Sequence, residues 1–285
     1  MSADRRKVLT MVSEGKISVE DAEAMLDALE PKQTASGSKV KLVGDSDAAK
    51  QLQDRVQEVA RIESPVLIVG EEGTGKELIA RAVHGASRRM GHPFIGFSCA
   101  ASVENNDAEI FGVEQGGPGG DVKRGLLETA QGGTLFLDIG SVLLPETQHR
   151  LYSYLMNGYF TRLNGVQPVY CDVRIMVANS VDLVKEVKSG QFRADLYDRL
   201  AVCKVMSPPL RERAEDIPIL TRFFVEKRAE RDGRSVPVIS DAVMETLNQY
   251  AWPQNVRELA GVIEQTVALC DGDELLPEHL PVLAS

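Results

Sequence analysis

The sequence predicts an α/β fold, a parallel sheet flanked by helices and followed by an all-helical segment, and three observations carry that expectation. Short apolar runs at Val66–Val69, Phe94–Phe97, Thr134–Leu137 and Val173–Ala178 alternate with helical patterns around Ala48–Arg61, Lys76–Ser87 and Glu146–Asn157. Such alternation builds parallel sheets that take ligands at the carboxyl ends of their strands. From Ile217 onward the pattern is helical throughout, which reads as a helical lid. Between the first of these strands and the helix after it stands Gly70-Glu71-Glu72-Gly73-Thr74-Gly75-Lys76-Glu77, a G-x-x-x-x-G-K stretch.

That stretch has the residue types of a phosphate cradle. Gly70, Gly73 and Gly75 let the backbone turn tightly with its N–H groups converging, the helix from Gly75 aims its positive end at the same point, and Lys76 neutralises the outer phosphates. Glu77 stands where a magnesium-binding Ser or Thr usually follows the lysine. Leu78, Ile79, Ala82 and Val83 come next at helical spacing, the context the motif requires.

Ahead of this domain, residues 1–30 read as a helical hairpin. Val8, Met11 and Val12 form one apolar stripe, Gly15-Lys16 breaks it, and Ser18 with Asp21 opens a second helix with the stripe Ala22, Met25, Leu26 and Leu29. The pattern resembles small E-G-K-I-S-x-E-x-A hairpins found at the ends of bacterial regulatory proteins. Its four basic against seven acidic residues in 3–30 argue against DNA reading. Residues 31–39 have linker composition, and the main domain begins near Val40.

At 285 residues the chain is long enough for roughly two domains. A net charge of −10 argues against a general nucleic-acid-coating surface. Cys99, Cys171, Cys203 and Cys270 show no C-x-x-C spacing, so neither a zinc site nor a disulfide framework is expected, and a cytoplasmic setting fits. No apolar run approaches the ~18 residues of a membrane span.

From about Leu42 to Pro281 the chain resembles the AAA+ domain of bacterial sigma-54-dependent transcription activators, the enhancer-binding proteins. The resemblance rests on Gly70–Glu77, Ala82-Val83-His84, Pro93-Phe94 with Cys99-Ala100-Ala101, Gly132–Asp138, Phe192–Leu200, Pro209–Arg213 with Glu215-Asp216-Ile217, and Trp252–Leu259. It implies a P-loop AAA+ subdomain over residues 40–210, a lid over 211–285, and ATP or ADP with Mg2+ as ligands. It further implies that Asp138 holds the metal, that Arg257 senses nucleotide, and that Arg193 and Arg199 are arginine fingers reaching into a neighbouring subunit. A homo- or hetero-oligomeric ring follows from such fingers.

The departures from the family pattern bear on activity. Ile139 follows the aspartate where the family has the glutamate that polarises water, and Ser98 replaces the asparagine that restrains that glutamate. Asn179-Ser180 stands where the family reads T-N, which on a strand turns Asn179 to the opposite face. Gly116-Gly117-Pro118-Gly119-Gly120 replaces the G-A-F-T-G-A loop that contacts the sigma factor, and it reads as a flexible glycine loop. No C-terminal DNA-reading helix-turn-helix follows the lid in this sequence, so no sequence-specific DNA binding is expected. These departures predict weakened or lost hydrolysis and sigma contact. Two alternatives stay open: an active ATPase that uses Glu146 or Glu77 as its carboxylate, and an oligomeric scaffold that binds no nucleotide.

Overall fold

Runs such as Val66-Leu67-Ile68-Val69 suit strands that helices cover on both faces, and they form the inner strands of the sheet. The structure, a computed structural model, describes residues 32–34 and 40–282 apart from 102, 117, 118, 141, 142 and 181. The helical hairpin expected over 1–30 therefore lies outside the described residues, as does the 31–39 stretch apart from 32–34.

In chain order the elements are β1 (Lys32–Thr34), α1 (Asp47–Ala60), β2 (Val66–Val69), α2 (Lys76–Gly85), β3 (Phe94–Ser98), α3 (Asn106–Phe111), β4 (Val113–Gln115), β5 (Asp121–Lys123), α4 (Leu126–Thr129), β6 (Thr134–Gly140) and α5 (Pro145–Asn157). They continue with β7 (Tyr159–Thr161), β8 (Pro168–Tyr170), β9 (Arg174–Asn179), α6 (Leu183–Lys188), α7 (Ala194–Leu200) and β10 (Cys203–Met206). A 3-10 segment (Leu210–Asp216), α8 (Ile217–Asp232), β11 (Val238–Ile239), α9 (Asp241–Gln249), α10 (Asn255–Leu269) and β12 (Glu274–Leu275) complete the series.

The sheet has the order β1-β3-β6-β9-β2-β10. Its five strands from β3 to β10 are parallel and flanked by helices, as expected, and β1 adds antiparallel to the edge strand β3. β10 and the hairpins β4–β5 and β7–β8 are too short or too polar to stand out in the sequence. The lid is also not purely helical, because β11 and β12 pair in parallel over two residues each.

The chain divides into two compact units. One contains Gly91–Met176 and Val184–Arg199 with β1; the other contains Gly37–Met90, Val177–Leu183 and Leu200–Ser285. The Gly70–Glu77 loop and the lid helices fall in the same unit. Lid residues Leu220, Val225, Val243, Leu247, Trp252, Leu259, Ile263 and Val267 form one buried cluster. Burying such side chains contributes roughly 1.5–3 kcal/mol each. The start of α1 is tied to the 3-10 segment by a buried carboxylate. Asp216 accepts hydrogen bonds from the Asp45 and Ser46 N–H groups and from the Ser46 hydroxyl, all at 2.8 Å. The Ser46 Oγ in turn caps α1 by accepting from the Ala49 N–H at 3.1 Å.

Candidate functional site

The loop between β2 and α2 has the backbone that its glycines allow. Gly73 at φ +74° and Gly75 at φ +94° occupy the left-handed region, and Gly75 leads directly into the first turn of α2. At Gly70 a Cβ would stand 2.6 Å from the Ser207 carbonyl oxygen, and at Gly73 it would collide with the Gln254 carbonyl oxygen. The loop is closed on itself by the Thr74 Oγ1, which donates to the Glu71 carbonyl at 2.9 Å. Lys76 is buried, and its Nζ donates to the carbonyls of Gly70 (2.9 Å) and Glu71 (2.8 Å). Gly70 donates its N–H to the Asn179 carbonyl at 3.2 Å. Asn179, expected to turn to the opposite face, is thus wholly buried at the end of β9 and tied through its backbone to the first glycine of the loop.

Lid residues hold the same loop from the other side. Arg211 forms a bidentate ion pair with the Glu71 carboxylate at 2.7 and 2.5 Å, and Asn255 donates its Nδ2 to the Glu71 Oε2 (3.2 Å) and the Glu72 carbonyl (2.9 Å). The hydrogen bonds from Arg211, then from Asn255, hold the Glu71 carboxyl down to about 2. With a lowered folded-state pKa, the pair's contribution is complete above the ordinary carboxylate range and is lost only as pH falls through about 2. Ser207 Oγ and Arg213 Nη2 both donate to the Thr74 carbonyl at 3.3 Å. The Arg257 N–H donates to the Gly73 carbonyl at 3.1 Å. Among the described residues its exposed guanidinium has no hydrogen-bond or ion-pair partner.

Of the residues singled out in the sequence, Gly70, Glu71, Glu72, Gly73, Thr74, Gly75, Lys76, Glu77 and Arg257 therefore lie in one unit. Glu71 holds the lid with its carboxylate, and Glu77 pairs with Arg81 at 2.6 Å along α2. Arg211, Arg213, Ser207 and Asn255 were not singled out, although all but Ser207 stand inside the P-L-R-E-R and W-P-Q-N-V-R-E-L runs. In the same unit a cavity of about 760 Å3 lies beside α2, lined in part by Leu42, Val43, Gly44, Gln53, Ala82 and Ile219.

Asp138, Arg193 and Arg199 belong to the other unit. Asp138 sits near the end of β6 in register with Ser98 of β3, and its Oδ1 accepts the Gly140 N–H at 3.2 Å. Ile139 beside it is 1% exposed. The Cys99 thiol is pushed far above its ordinary value, first by burial and then by the Asp138 charge, so it stays a neutral core group. Arg193 pairs with Asp195 at 2.6 Å and lies over the Tyr152 ring, 5.6 Å from its centroid. Arg199 is exposed in the last turn of α7, its Nη2 3.4 Å from the Leu155 carbonyl.

The glycine loop at 116–120 joins β4 to β5, with Gly117 and Pro118 outside the described residues. The base of this hairpin is anchored by charge. Arg162 pairs bidentately with Glu128 at 2.9 and 2.7 Å and reaches the buried Glu114 at 3.4 Å. No group of three or more His, Cys, Asp or Glu residues could hold a metal among the described residues. Among them, too, no helix is long and apolar enough to cross a membrane.

Comparison with known proteins gives three matches along the chain. Residues 42–206 match the sigma-54 interaction domain family, residues 211–284 the AAA+ ATPase lid domain, and residues 4–34 a SHOCT-like domain. The transcriptional regulatory protein ZraR of Klebsiella oxytoca is 42% identical over 244 residues, covering 85% of this chain and 55% of its own. The Nif-specific regulatory protein of Azotobacter vinelandii is 42% identical over 233 residues, covering 81% and 44%. The chain thus spans about half the length of the curated relatives it matches. Crystal structures of NtrX from Brucella abortus in complex with ATP and with ADP superpose with TM-scores of 0.80 and 0.79 at 34% identity. They cover 99% of this chain and 60% of NtrX.

Proposed function

This chain belongs to the sigma-54 interaction domain family of bacterial transcription regulators, with an AAA+ lid after it, and on that premise we propose that it binds ATP and ADP with Mg2+ while hydrolysing ATP weakly or not at all. The observation that carries the reading is the loop Gly70–Glu77. Its left-handed Gly73 and Gly75, the start of α2 and the converging Lys76 form a cradle, and Gly70 and Gly73 leave no room for a Cβ against the Ser207 and Gln254 carbonyls that pack on the loop. Lys76 is the counter-charge for the outer phosphates, and Arg257, with its guanidinium unengaged, is the lid cation that meets the same nucleotide. Asp138 fits a magnesium ion, which uses one or two carboxylates and takes its other ligands from phosphate and water. The metal would neutralise charge developing on the phosphates. NtrX, solved with ATP and with ADP, supports the ligand class.

Weak hydrolysis rests on Ile139 and Ser98. A buried isoleucine neither accepts a proton nor orients water, and Glu77, one candidate replacement, is engaged by Arg81. Arg193 and Arg199, both exposed, are the fingers this chain offers to a neighbour in a homo- or hetero-oligomeric ring. A cytoplasmic regulator of transcription or signalling is the setting that fits.

Magnesium-ATP is expected to raise the melting temperature by linkage, and Lys76→Ala to abolish that rise. Equal shifts in wild type and Lys76→Ala would reject the nucleotide reading in favour of a scaffold. With neither an aromatic nor a hydroxyl residue in the sequence 116–120, this stretch offers little side chain for an interface anchor. The chain is therefore expected not to co-elute with the sigma-54 factor with or without nucleotide, and stable nucleotide-dependent co-elution would overturn that expectation.

A further inference from the structure

The lid turn Trp252-Pro253-Gln254-Asn255 is held in a conformation that its own residues disfavour. Trp252 at φ +52° and Asn255 at φ +58° both occupy the left-handed region, where a bulky residue such as tryptophan is an outlier. Such outliers persist only where surrounding contacts over-determine them. At Asn255 the contacts are with the phosphate loop. Asn255 is fully buried, and its side-chain amide joins three segments: Oδ1 accepts the Leu210 N–H at 2.8 Å, while Nδ2 donates to Glu71 and Glu72. Arg211, on the segment that Asn255 holds, neutralises Glu71 and keeps its carboxylate turned toward the lid. Arg257 follows in the first turn of α10, with its N–H on the Gly73 carbonyl.

We propose that Glu71, Arg211 and Asn255 form a latch that fixes the lid turn on the phosphate loop and so sets where the Arg257 guanidinium stands. Arg211 and Asn255 are thus positioning residues, acting through Arg257 and through the charge of Glu71. The latch rests on the nucleotide reading for its ligand, but its geometry is a property of the chain alone. Two consequences separate it from ordinary packing. Loss of Arg211 leaves the Glu71 carboxylate uncompensated beside a site for polyphosphate, so removing both charges restores part of what removing one destroys. Once Arg257 is absent, loss of Arg211 keeps only the part that acts through the Glu71 charge, so its effect shrinks.

Trp252 is the only tryptophan in the chain, buried, with its Nε1 donating to the Leu247 carbonyl at 2.9 Å, so its fluorescence reports on the turn. The test uses the full chain, Arg211→Ala, Glu71→Gln with Arg211→Ala, Arg257→Ala, Arg257→Ala with Arg211→Ala, and the charge swap Glu71→Arg with Arg211→Glu. Arg211 is half exposed, so these variants are expected to fold. Without nucleotide, Arg211→Ala is expected to red-shift the Trp252 emission and the charge swap to return it. In ATP titrations Arg211→Ala should weaken affinity by roughly tenfold in wild type and by clearly less in the Arg257→Ala background, with Glu71→Gln recovering part of the loss in both. An unchanged Trp252 emission in Arg211→Ala, or additive losses for Arg211→Ala and Arg257→Ala, would overturn the latch. Failure of wild type to bind ATP, with the emission shift and its rescue intact, would remove the nucleotide reading and leave the latch standing.

Discussion

A Gly73→Ala chain is expected to lose nucleotide binding and about 3 kcal/mol or more of stability, although only a methyl group is added. Two costs add at this position. A φ of +74° strains any residue with a Cβ, and that Cβ would point into the Gln254 carbonyl of the lid turn. Backbone carbonyls cannot swing aside as a flexible side chain can, so either the loop or the lid must move. Both movements break the Arg257 N–H bond to Gly73. Gly119→Ala, with a similar φ of +84° and nothing within 4 Å of the added carbon, is the control and should cost only the backbone strain. Urea unfolding of the two variants measures the difference; equal losses would show that the lid does not press on the loop.

Wild-type turnover is expected on the order of 10⁻² per second or lower, because positioned general-base chemistry supplies about 10²–10⁴-fold of rate over an ordinary turnover of ~1 per second or more. Phosphate release under saturating magnesium-ATP measures it. Turnover on the order of 1 per second that disappears in Lys76→Ala would mean that another carboxylate acts, and Glu146→Gln then tests the exposed candidate at the start of α5. Restoring the glutamate has a cost that the sequence does not show. Ile139 is 1% exposed, so Ile139→Glu buries a carboxylate and should destabilise the fold by about 3–5 kcal/mol at neutral pH. Burial raises the folded-state pKa of such a group above its unfolded value, so the unfolded chain releases its proton first. Stability of Ile139→Glu should accordingly be highest in acid and fall as pH rises from about 4.3 through the raised folded-state pKa. A flat pH profile relative to wild type would show that the new carboxylate reaches solvent. Adding Ser98→Asn should then change activity non-additively with Ile139→Glu, since the two positions act as a unit.

Much of this protein is determined by its sequence alone. Strands flanked by helices, the glycine loop and the helical lid are encoded by apolar periodicity and by glycines at fixed offsets, signals that depend on neighbours within one or two turns of chain. The positions of Gly70, Gly73, Gly75 and Lys76 in the cradle follow from the same local rules, and the departures at Ile139, Ser98 and the 116–120 loop are visible as residue types. Tertiary structure alone decided how those residues are used. Glu71 lies in the phosphate motif, yet its carboxylate serves the lid, because Arg211, 140 residues away, and Asn255, 184 residues away, meet it there. Gly73 is needed for the lid's approach as well as for its own φ, and Ile139 is closed to solvent by packing that its neighbours in sequence do not reveal. No periodicity encodes such pairings, since an ion pair or a backbone approach between distant segments exists only after the chain has folded them together.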